Sequence, residues 1–97
     1  MPETRADVTT PNASKYLRRL CKHWSHRFQV KYDDTHGAID FGGDSRVEMT
    51  ANAEHLLVRV FLAPEDNMAE MEDVVADHLK RVANDEPSLV VEWERVT

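Results

Sequence analysis

A single cysteine, Cys21, in a chain of 97 residues leaves no partner for an internal disulfide. The fold must stand without one, and a reducing cytoplasm is the expected compartment. Glycine numbers three and proline four, too few for a loop-rich or low-complexity scaffold. No apolar run approaches the roughly 20 residues that a membrane-spanning helix needs. The opening stretch from Met1 to Asp7 is polar and lacks the apolar core of a secretory leader. Gly-rich phosphate loops, nucleophile elbows and paired-cysteine zinc motifs are all missing. A chain this short also has little room for a deep substrate pocket, so an enzyme is not expected.

What is present is a globular balance, 41% hydrophobic and 31% charged. One domain over residues 1–97 is expected, with 1–3 frayed, because two cores would each be too small. The net charge of −6 is unevenly spread. Between Asn12 and Tyr32 lie six bases (Lys15, Arg18, Arg19, Lys22, Arg27 and Lys31) and no acid. The remainder holds six bases against eighteen acids, a balance of −12. That field repels phosphates, so nucleic acid is not an expected partner.

Hydrophobic periodicity orders the chain. Residues 4–9 alternate as a first strand with Ala6 and Val8 inward. Thr10 and Pro11 read as the N-cap and first position of a helix reaching about His26. Its stripe is Ala13, Leu17, Leu20, Cys21 and Trp24, with Lys15, Arg18, Arg19, Lys22 and His26 opposite. Strand-like runs follow at 29–33, 38–41, 46–51 and 55–62, joined by short turns rich in Gly, Asp or Asn. Val30, Tyr32, Ile39, Phe41, Val47, Met49, Ala51, Leu56, Val58, Val60 and Leu62 are their inward positions. After Ala63-Pro64-Glu65-Asp66, Asn67 and Glu70 form a capping pair for a second helix ending near Ala83. Met68, Met71, Val74, Val75, His78, Leu79 and Val82 share its inner face. A last strand alternates through Leu89, Val91 and Trp93. The order β-α-β-β-β-β-α-β predicts an α+β two-layer sandwich: an antiparallel sheet with both helices on one face.

The motifs Leu20-Cys21-Lys22-His23-Trp24 and Val74-Val75-Ala76-Asp77-His78-Leu79, with Thr10-Pro11-Asn12-Ala13 and Val91-Glu92-Trp93, resemble the bacterial family called domain of unknown function (DUF) 2218. The resemblance spans nearly the whole chain and implies a TATA-binding-protein-like two-layer fold. It implies no biochemical activity. Through related domains joined to siderophore-interacting flavoproteins it implies an association with iron handling. Fold likeness to a DNA-binding protein transfers no function.

Several constellations bear on chemistry. Cys21, His23 and His26 are all metal-ligand types, but helical geometry does not bring them into one site: only His23 and His26, three apart, could share a ligand, and Cys21 reads as a small core residue. His78 lies near the centre of an apolar stripe and reads as a buried, hydrogen-bonded imidazole. If the helices pack side by side, His23 approaches His78, and the pair with Asp77 or a water would take iron or zinc. No other cofactor is expected. Carboxylate pairs such as Asp33/Asp34 and Glu72/Asp73 read as solvated charges. Lys15, Arg18, Arg19 and Lys22 offer an exposed basic face to an anionic ligand. Leu57, Arg59, Phe61 and Val90 offer an apolar patch on the open sheet face, suited to a protein partner or homodimer if their strands are neighbours. The expected function is a non-catalytic binding or accessory module. The alternative is an iron- or siderophore-linked site at His23 and His78.

Overall fold

The computed structural model describes residues 2–63 and 67–96. Its elements are β1 (Glu3–Thr9), α1 (Ala13–Trp24), β2 (Gln29–Tyr32), β3 (His36–Asp40), β4 (Arg46–Ala51), β5 (His55–Phe61), α2 (Met68–Val82) and β6 (Trp93–Arg95). The order is the expected one. The strands form one sheet, ordered β2-β3-β4-β5-β1-β6, with every pairing antiparallel. Pro64, Glu65 and Asp66 lie outside the described residues.

β1 is an interior strand, and that fixes the start of the chain. Leu62 N–H donates to the Pro2 carbonyl and Val96 N–H to the Glu3 carbonyl, each at 2.9 Å. The expected fraying of residues 1–3 therefore does not hold for Pro2 and Glu3, whose backbone joins both neighbouring edges. Thr4, Ala6 and Val8 point to the helices and are buried. β4 and β5 alternate as expected, burying Val47, Met49 and Ala51, then Leu56, Val58 and Val60. Tyr32, expected inward, is 45% exposed. It ends a four-residue edge strand, and its cross-strand neighbour is Gly37, which offers no side chain to cover it.

α1 is shorter than its periodicity predicts. Thr10 does not cap it directly. Its hydroxyl accepts from the Asn12 N–H at 3.1 Å and shapes the entry, and helical backbone begins at Ala13. The helix stops at Trp24 rather than His26, where the Ser25 hydroxyl takes the Lys22 carbonyl at 2.6 Å. The Arg27 and Phe28 N–H groups then both turn back to the Trp24 carbonyl. Ala13, Leu17, Leu20, Cys21 and Trp24 are buried as expected, and Tyr16 joins them. α1 sits tightly on β3. A Cβ at Gly37 would stand 2.7 Å from Cys21 Sγ and 3.3 Å from Leu17 Cδ2. Cys21 is a small core residue, as its stripe position predicts.

α2 starts as expected: Asn67 Oδ1 accepts from the Glu70 N–H at 3.0 Å. Its inner face, however, is turned by about one position. Val75, Leu79 and Glu72 are buried, whereas Val74 is 40% exposed and His78 is half-buried. Glu72 is the reason. Its carboxylate accepts from Thr4 Oγ1 on β1 at 2.6 Å and pairs with Arg95 of β6 at 3.1 Å. A carboxylate held this way must face the sheet, so Glu72 is not the solvated charge its acidic neighbourhood predicts. Burial works to raise the Glu72 pKa, but the Arg95 and Thr4 hydrogen bonds and the Arg95 charge hold it below the ordinary range.

The last strand is also shorter than expected. Leu89 is buried, yet ladder pairing begins only at Trp93, opposite Ala6 of β1.

Candidate functional site

The end of α1 and the segment after it lie beside α2. Between them opens a groove of about 650 Å³, lined by His23, Trp24, His26, Arg27, Phe28, Phe41, Asn67, Glu70, Met71, Val74 and His78. Each wall follows from a local feature. His23 and Trp24 close the last turn of α1, and the bend after Ser25 swings His26, Arg27 and Phe28 into the opening. Phe41 follows β3, and the turned face of α2 leaves Val74 and His78 on the rim.

Ring contacts run through the groove in a chain. The His23 and His78 centroids are 5.4 Å apart with planes at 51°. His78 also leans on Trp24 at 5.1 Å and 35°. Trp24 meets Phe41 edge-to-face at 5.4 Å, and Phe41 meets Phe28 in the same manner at 4.8 Å. The approach of His23 to His78 is thus met by the packing. His78 Nδ1 lies 2.7 Å from the Val74 carbonyl, so Nδ1 carries the proton and Nε2 keeps its lone pair in the neutral ring. The expected third donor does not join them. Asp77 faces away and pairs with Arg81 at 3.1 Å. His26 lies beyond the end of α1, so it has lost the helical spacing that would aim it with His23. Among the described residues, no group of three or more His, Cys, Asp or Glu is placed to hold a metal ion.

The basic face is largely engaged by the protein itself. Lys15 is half-buried and pairs with Asp85 at 2.9 Å, which corrects its expected exposure. Arg18 approaches Asp34 at 3.7 Å, and Arg19 donates to the Val82 carbonyl at 2.8 Å. The α1 surface is drawn to acids and carbonyls of the β2–β3 turn and the α2 end. Lys22 is exposed and has no ion pair among the described residues.

The open sheet face differs from the expected apolar patch. β1 separates β5 from β6, so Val90 is not beside Leu57. It lies outside the strands and is 60% exposed. Phe61 is covered by two guanidinium groups, Arg46 at 4.2 Å and Arg59 at 4.9 Å from its ring centroid. Arg59 pairs with Glu3 at 3.1 Å, Arg46 with Glu48 at 2.8 Å and Arg5 with Glu94 at 3.6 Å. Paired charges cover this face in place of a continuous apolar surface.

Residues 5–94 match the family described as an uncharacterized protein conserved in bacteria, DUF2218. The chain belongs to the DUF2218 family. It is similar to the protein in the NMR structure of PA4090 from Pseudomonas aeruginosa. The two are 45% identical over 97% of this chain and 96% of that chain, with a TM-score of 0.77. No match was found among curated proteins. In this DUF2218 chain no described helix is long and apolar enough to cross a membrane.

Of the groove's lining, sequence reasoning singled out His23 and His78 as site residues. Arg27, Phe28 and Phe41 were legible only as a base and two apolar side chains. The one local signal was the crowding of His23, Trp24, His26, Arg27 and Phe28 into six positions.

Proposed function

We propose that this DUF2218 chain is a non-catalytic binding module whose ligand seat is the groove between α1 and α2. The observation that carries the reading is the His23–His78 contact at 5.4 Å on the lip of a cavity of about 650 Å³. Binding sites are concave, mostly apolar, and furnished with a few convergent polar groups. The groove has that composition, whereas the sheet face is covered by ion pairs and Lys15, Arg18 and Arg19 of the α1 face are engaged by the protein's own oxygens. A free, buried Cys21 suits action in a reducing cytoplasm.

The test uses the neutral fluorophore N-phenyl-1-naphthylamine. Its emission should rise with the wild-type protein and stay low with Val74→Arg, which plants a long cation on the exposed rim. Unchanged urea midpoints would show that the variant is folded. Equal emission from both proteins, or none from the wild type, overturns the reading.

A second reading is favoured by one feature, the Nε2 lone pair that the Val74 carbonyl leaves on His78. In that reading His23 and His78 hold iron or zinc, with water completing the shell. Zinc or iron should then raise the melting temperature of the wild type and not of His78→Gln. Equal shifts in both proteins, or none, reject it.

A further inference from the structure

We infer that the groove selects a small planar aromatic anion, a fused-ring carboxylate or one of similar size. The inference rests on the binding reading above and adds the ligand's chemical class. Three features of the lining converge on it.

The first is shape and surface. A volume of about 650 Å³ falls in the usual range for small-molecule sites and admits a two-ring compound. The floor is made of ring faces and edges, with Trp24, Phe28 and Phe41 locked edge-to-face. Met71 and Val74 of α2 complete the apolar wall. Flat rings fill such a slot at little conformational cost, because they have few rotors to freeze.

The second is charge. The chain as a whole carries −6, yet among the described residues Glu70 is the only acid lining the groove. Arg27 lines it too, with the imidazoles of His23, His26 and His78. Arg27 is exposed, and no ion pair holds it among the described residues. Lys15, Arg18 and Arg19 of the same basic segment are each committed to a protein oxygen. The free guanidinium is therefore the one that borders the cavity. Its planar fork matches a carboxylate with two parallel hydrogen bonds.

The third is polarity across the slot. The Arg27 guanidinium stands on the α1 side, just past the end of that helix, and Glu70 stands on α2. An anion is drawn to one wall and repelled by the other. That orients a bound carboxylate toward Arg27 and its rings toward Phe41 and Met71.

The experiment is a two-dimensional NMR titration that follows the Trp24 indole and the His23 and His78 ring signals. The probes are 2-naphthoate, 2-naphthalenemethanol and cyclohexanecarboxylate. The expected result is that 2-naphthoate binds at least about fivefold more tightly than either other probe, a ratio typical of one partly exposed charge pair. Arg27→Gln should remove the advantage over the neutral alcohol and leave the alcohol's own binding unchanged. Equal affinity for naphthoate and its alcohol overturns the anion assignment and leaves the groove a ligand seat. Equal affinity for naphthoate and cyclohexanecarboxylate overturns the aromatic assignment in the same way. If no probe moves the groove signals, the binding reading falls together with this one.

Discussion

The Tyr16 hydroxyl donates to Glu86 Oε1 at 2.8 Å, tying the start of α1 to the segment that follows α2. The same oxygen accepts from Thr10 Oγ1 at 2.8 Å and from Asn12 Nδ2 at 3.3 Å. α1 has no acid in its own first turn. Glu86 supplies a negative charge beside the helix N-terminus from 70 or more residues away. Burial first, then the Glu86 hydrogen bond, pushes the Tyr16 pKa up to about 12.

Tyr16→Phe keeps the ring in the core and deletes the bond. Glu86 keeps its Thr10 and Asn12 donors, so the loss should be near the lower end for a buried hydrogen bond, about 1 kcal/mol. A lower urea midpoint with an unchanged m-value would record it. An unmoved midpoint would mean that the clamp contributes nothing to stability.

Acid should loosen the fold at two carboxylates. The Thr10 and Tyr16 hydrogen bonds hold Glu86 below its ordinary 4.5. At Glu72 burial is outweighed by Arg95 and Thr4, and the direction is the same. A depressed carboxylate adds stability that is fully present above its unfolded pKa and is lost as pH falls through the lower folded value. The melting temperature should therefore drop on acidification below about pH 4.5. Glu86→Gln should make that drop shallower, since one linked proton is gone. A variant as acid-sensitive as the wild type would remove Glu86 from the account.

Gly37→Ala should destabilise by about 1–3 kcal/mol, because the new methyl meets Cys21 Sγ at 2.7 Å in a packed layer. Cys21→Ala in the same chain removes the clashing atom and should recover part of the loss. Additive losses in the double variant would show that the two residues do not couple. The same burial pushes the Cys21 thiol up to about 11, so iodoacetamide should react with it only in the unfolded protein.

Trp24→Ala should cost about 3–5 kcal/mol, as its ring is 4% exposed and stands between Phe41 and His78. The His78 ring signals should shift in the same variant, since the imidazole loses its stacking partner. A denaturation midpoint left in place would contradict the assigned face of α1.

Local periodicity determined the elements of this protein. The spacing of Ala13, Leu17, Leu20, Cys21 and Trp24 specified one buried face of α1, and every member is buried. Alternation did the same for β4 and β5, and Asn67 with its bond to Glu70 marked the start of α2. Those properties rest on neighbours one to four positions apart, which a single strand or helix already brings together.

Tertiary structure decided the rest, because a charge or polar group is buried only where a partner meets it. Glu72 turns inward for Thr4 and Arg95, 68 and 23 residues distant. That turn left Val74 and His78 on the groove rim instead of in the core. The order of strands placed β1 between β5 and β6 and dissolved the apolar patch expected from Leu57 and Val90. His23 and His78 were both visible as candidate ligands in the chain, but their approach to 5.4 Å exists only where two helices share one face of the sheet.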